Sequence, residues 1–169
     1  MNFKKIKKSQ AWGLDLIIAM VIFSVGITAF FVYSINYSRE AEENFNLMKT
    51  EGDFIFNNIL SSGYPSDWSA ENVVVIGISD DGKINETKLE RFFELANNDY
   101  DRTKFLFNTR YNYFFFFLDN MTIGSSVVRG IGKPGTVPEN INSKNLVKIT
   151  RMVSYKNKPM TAYIYIWEE

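Results

Sequence analysis

Residues 16–35 read LIIAMVIFSVGITAFFVYSI, and this stretch decides the architecture. It carries no charge, and its polar side chains are those of Ser24, Thr28, Tyr33 and Ser34. As a helix rising about 1.5 Å per residue it reaches roughly 30 Å, the hydrocarbon thickness of a bilayer. A helix in a water-soluble core is rarely apolar all the way round over such a length. The reading is a transmembrane helix over residues 12–35, with Trp12 at one interface and Tyr33 and Tyr37 at the other.

The flanks orient it. Lys4, Lys5, Lys7 and Lys8 precede the run, whereas Arg39, Glu40, Glu42 and Glu43 follow it. Positive charge stays on the cytoplasmic side, so residues 1–11 are expected inside as a basic leader and the rest outside. A secretory signal peptide shares the basic start and apolar middle. This apolar run is longer than a signal core, and no small-x-small pattern closes it, so it is expected to be kept.

The junction KKIKKSQAWGLDLIIAMVIF resembles the start of a type IV pilin-like protein, and in particular archaeal proteins with a class III signal peptide. The shared features are the lysine-rich leader, Ser9 followed by Gln10, an acidic residue, Asp15, at the membrane entrance, and an uninterrupted apolar helix. The resemblance covers about the first sixty residues. It implies cutting by a prepilin-type peptidase on the cytoplasmic side, with the helix kept as anchor and assembly core. It places the cut after Ser9, which makes Asp15 sixth in the mature chain; a cut after Gln10 makes it fifth, the family's usual place. Physically, a carboxylate at the edge of hydrocarbon is costly unless paired. Asp15 has three readings: pairing with a neighbouring subunit's terminal amine, pairing with Lys8, or hydration at the interface. Gly26 is either a close-packing point or a tolerated glycine.

Beyond the membrane, residues 36–62 read as an amphipathic helical stem. Ala41, Phe45, Met48, Gly52, Ile55 and Ile59 recur at spacings of three and four, with Glu40, Glu43, Lys49 and Asp53 opposite. Ser61-Ser62-Gly63-Tyr64-Pro65 stops the helix. Residues 63–169 are expected to form the head. Asn72–Ile78 (NVVVIGI) predicts a strand, closed by Asp80, Asp81 and Gly82. Lys83–Asn97 predicts a helix with Leu89, Phe92, Phe93 and Ala96 inward, capped by Asn85 or Thr87. YNYFFFFL, within 110–118, predicts a buried strand, since four exposed phenylalanines would aggregate. Met121–Arg129 predicts another strand, and Gly130–Asn145 a loop that reads as a connector. Leu146–Tyr155 and Met160–Trp167, joined by Lys156-Asn157-Lys158-Pro159, predict a hairpin. On its second strand Tyr163, Tyr165 and Trp167 alternate with Ala162, Ile164 and Ile166. Both faces are bulky, so that strand is central or meets a partner. The expected class is α+β, a long helix packed on a small antiparallel sheet.

Composition narrows the chemistry. Histidine and cysteine are absent, which removes the usual neutral-pH base, the thiol nucleophile and the commonest metal ligands. Lys and Arg balance Asp and Glu at 19 each, with no basic stripe, so no nucleic-acid partner is expected. Asp80-Asp81 reads as turn chemistry, and no glycine cluster is followed by the GK[ST] of a phosphate loop. No catalytic, cofactor or metal site is expected. Sequons stand at Asn36, Asn85 and Asn120, the first too near the bilayer to accept a glycan readily. The expected partners are lipid, further copies or other pilin-like subunits, and the peptidase. The expected function is that of a filament or secretion-system subunit, the alternative a membrane-tethered accessory or binding protein.

Overall fold

The computed structural model describes residues 4–124, 126–143 and 145–168, with the side chains of 4–11, 36–38, 40 and 41 outside that description. The leader lysines and the side chains of Ser9, Gln10, Asn36, Tyr37, Glu40 and Ala41 therefore lie outside the described residues. The elements in chain order are α1 (Lys4–Ile59), β1 (Ser79–Asp80), β2 (Lys83–Ile84), α2 (Glu86–Asn98), α3 (Tyr100–Leu106), β3 (Asn112–Phe117), β4 (Met121–Ile123), β5 (Ser126–Val128), β6 (Ile131–Gly132), β7 (Leu146–Tyr155) and β8 (Lys158–Trp167). Contacts divide the chain into two compact units, Met1–Asn44 and Phe45–Glu169.

The first unit contains the apolar part of α1. Trp12–Ile35 has a mean hydropathy of 2.5 and no buried residue, and it is long and apolar enough to cross a membrane. Its hydroxyls satisfy themselves within the helix: Ser24 donates to the Met20 carbonyl and Thr28 to the Ser24 carbonyl, each at 2.8 Å. Such back-bonding removes the cost of an unpaired hydroxyl in an apolar medium. A Cβ built on Gly26 would meet nothing within 4 Å.

In the second unit the last turns of α1 lie on the sheet. Met48, Gly52, Ile55, Phe56 and Ile59 are buried, which is the later part of the expected stripe with Phe56 added; the side chain of Ala41, its first member, lies outside the described residues. Phe45, expected in that stripe, is exposed. Gly52 sets the depth of contact, because a Cβ there would stand 2.7 Å from Ile149 Cδ1 and 3.0 Å from Ile166 Cγ1. The rings of Phe56 and Phe115 meet edge to face at 5.9 Å. Asp53, expected on the solvent side, accepts from Arg151 Nη2 at 3.0 Å, while Arg151 also bonds Asn57 and lies over the Phe56 ring.

The six-stranded sheet has the order β1-β2-β7-β8-β3-β6. It is mixed, which corrects the antiparallel expectation: β2 joins β7 in parallel through Lys83 and Ser154, whereas the other neighbours are antiparallel. β8 is central, paired along its length with β7 and, from Ala162 to Trp167, with β3. The β7–β8 turn is Lys156-Asn157, both at positive φ (51° and 59°), so Lys158 and Pro159 belong to β8 rather than to the connection. This two-residue geometry matches the twist of the flanking strands. On β3, Tyr113, Phe115 and Phe117 pack toward the helices, where Phe92 and Phe107 flank Tyr113. The Tyr113 hydroxyl meets Thr103 Oγ1 at 2.5 Å, and the Tyr100 hydroxyl accepts from Tyr113 N at 3.0 Å. Burial holds both phenols well above their ordinary pKa, so they stay neutral.

Four further expectations change. Asn72–Ile78 is no strand, although Val73, Ile76 and Ile78 are buried. Its backbone pairs with the loop after α1: Val75 bridges Tyr64, Ile78 N donates to Ile59 O, and Ser79 N to Ser61 O. Gly77 presses on that loop so closely that a Cβ would fall 2.2 Å from Gly63 N. The helix expected from Lys83 begins at Glu86, because Asn85 Oδ1 caps it by accepting from Lys88 N and Lys83-Ile84 is taken into the sheet. The strand expected over 121–129 is a separate hairpin, β4–β5. The loop expected over 130–145 contains β6 and a 3-10 turn, Pro138–Asn140.

Candidate functional site

Asp15 is an exposed residue of α1 and the one charged residue of the Trp12–Ile35 span. Among the described residues no side chain hydrogen-bonds or ion-pairs with it. Ser9 and Gln10 stand on α1, with side chains outside the described residues. A carboxylate with no partner at the edge of an apolar span calls for water or a cation from outside the helix.

In the head, β1, α2 and the loop after α1 converge on Lys88. It is buried, and its Nζ reaches Asp80 Oδ1 at 2.5 Å and the Ser62 carbonyl at 2.9 Å. Asn85 Nδ2 donates to the other Asp80 oxygen at 2.7 Å. The Lys88 hydrogen bond, helped by that of Asn85, holds the Asp80 carboxyl below its ordinary pKa. Asp80 thus does more than turn; the turn itself is Asp81-Gly82, at φ 48° and 76°. Sequence reasoning missed Lys88, whose spacing one residue before Leu89 is the signal that it sits at the edge of the buried face. Among the described residues no buried side-chain N or O lacks a partner, and this cluster is structural.

The sheet face away from α1 carries Phe116, Tyr163 and Tyr165, half-buried. Phe116 stacks on Tyr163 at 5.2 Å and meets Tyr165 edge-on at 5.0 Å. Lys148 Nζ lies 4.3 Å from the Tyr163 centroid. At one end of this face, residues 133, 135, 136, 140–143 and 145, with Trp167 and Glu168, line a cavity of about 450 Å³. Among the described residues no group of three or more Asp, Glu, His or Cys is placed to hold a metal ion.

No family model, curated protein or solved structure matches the chain.

Proposed function

We propose that the chain is a pilin-like structural subunit or minor pilin of a surface filament or secretion machine. It assembles through its N-terminal helix, with the N-terminus cytoplasmic and the head outside. The observation that carries the reading is Asp15, a carboxylate in a membrane-length apolar helix with no partner among the described residues of its own chain. A second copy, cut by a prepilin-type peptidase, supplies the missing cation as its new terminal amine. Support comes also from α1 itself, one element that contains the apolar span and then a stripe buried on a sheet. The lysine-rich leader and the Ser9-Gln10 junction agree with that processing.

The test is the mature N-terminus, read by mass spectrometry of protein taken from native membranes. A start at Gln10 or Ala11 supports a processed subunit. A start at Met1 moves the tethered accessory protein to first place. With processing established, Asp15→Ala should abolish assembly while leaving the head folded; unchanged assembly would remove Asp15 from that role.

A further inference from the structure

We propose that the cavity at the end of β8 binds a neutral pyranose sugar, a role independent of filament assembly. The cavity holds about 450 Å³, within the range of roughly 300–1,000 Å³ typical of small-ligand sites. Its walls carry Thr136, Asn140, Asn142 and Asn145, with Ile141 and Trp167 also in the lining. Among the described residues no hydrogen bond within the chain engages the amides of those three asparagines, so donors and acceptors both remain for a ligand.

The wall is anchored rather than draped. Ser143 Oγ lies 2.7 Å from the Asn145 carbonyl and 2.8 Å from the Glu168 carbonyl, and it accepts from Asn145 N at 3.2 Å. These bonds tie the asparagine-bearing segment to the last residues of β8. Trp167, 5% exposed, belongs to the lining.

The lining excludes other ligand classes. A phosphate or nucleotide needs converging cations, whereas the charged groups among the described lining residues are Lys133 and Glu168, one of each sign. A lipid chain or apolar ligand needs a mostly hydrocarbon wall, and here polar groups supply nearly half of it. A pyranose matches this mixed wall: a ring of hydroxyls that both donate and accept, and C–H surfaces for its apolar part.

The experiment uses the full-length chain in phosphocholine-lipid nanodiscs, free of sugar detergents. Saturation-transfer NMR is recorded with the methyl glycosides of glucose, galactose, mannose and N-acetylglucosamine, and with glycylglycine as a zwitterionic control. At least one glycoside should show transfer at millimolar concentration. The exposed pair Asn140→Ala and Asn142→Ala together should weaken it about tenfold, the scale of one or two lost hydrogen bonds, with the thermal midpoint unchanged. Absence of transfer from all four glycosides overturns the proposal. So does transfer that survives undiminished in the double variant, or transfer from glycylglycine alone.

Discussion

The ammonium of Lys88 sits 2.5 Å from Oδ1 of Asp80, with the lysine buried and the carboxylate half-exposed. The pair fastens α2 to the β1–β2 hairpin and, through the Ser62 carbonyl, to the loop that ends α1. Its pH dependence has a definite sign. The folded pKa of Asp80 lies below its unfolded value of about 3.9, so the stabilisation is present above that value and is lost as pH falls through the folded one. The unfolding midpoint of the wild-type chain should therefore drop on acidification below about pH 4. Asp80→Asn should be less stable at pH 7 by about 1–3 kcal/mol, the cost of a weakened charged hydrogen bond to a buried group, and should show a shallower acid limb. Unfolding followed by tryptophan fluorescence across pH checks both. An acid limb as steep in the variant as in wild type would assign it to another carboxylate.

Gly52 and Gly26 stand on the same helix and predict opposite results. The Cβ of a residue at 52 meets Ile149 and Ile166, whereas at 26 it meets nothing in the chain. Gly52→Leu should lower head stability by about 1–3 kcal/mol or more through overpacking against the sheet. Gly26→Leu should leave the unfolding midpoint of the head unchanged. Any loss of assembly in Gly26→Leu then reports a contact with another molecule, read by cross-linking in native membranes.

The two faces of β3 also separate. Phe115 is fully buried against Phe56, while Phe116 is half-buried on the face away from α1. Phe115→Ala should cost about 3–5 kcal/mol, the range for a core aromatic cut to a methyl group. Phe116→Ala should cost clearly less, because part of its ring already faces solvent and its ring contacts are those with Phe114, Tyr163 and Tyr165 on the outer face. Denaturant titration of the two variants decides; equal losses would mean that the outer face is packed as tightly as the inner.

These contrasts show where the sequence was legible. The β7–β8 hairpin could be read because Ala162, Ile164 and Ile166 alternate with Tyr163, Tyr165 and Trp167, and period two is a local property of a chain. The stem was legible at Met48, Gly52, Ile55 and Ile59 for the same reason at period 3.6, and it failed at Phe45, where the described contacts no longer bury the stripe. NVVVIGI misled because β-branched composition signals an extended, buried chain, not a partner. Its partner is the loop at Ser61–Tyr64, and that pairing depends on Gly77 touching Gly63, a contact no pattern encodes. The parallel link between Lys83 and Ser154 is likewise long-range. The cavity was illegible because its lining joins residues between 133 and 145 to Trp167 and Glu168, and its asparagines look like ordinary loop residues until the fold brings them beside the end of β8.

Two head sequons make the last prediction. Asn85 is spent: its Oδ1 accepts from Lys88 N as the cap of α2, and its Nδ2 donates to Asp80. A glycan on that nitrogen would have to emerge from a half-buried pocket and disturb the Asp80–Lys88 pair. Asn120 is exposed in the link between β3 and β4 and makes no such bonds among the described residues. In a secretory host that glycosylates, occupancy should therefore appear at Asn120 and be absent at Asn85. Glycopeptide mass spectrometry measures it, with Asn120→Gln removing the signal. Occupancy at Asn120 would also place that loop on the lumenal side, the topology the leader lysines favour. Occupancy at Asn85 in folded protein would show that the cap forms only after the acceptor has been modified, or that α2 tolerates losing it.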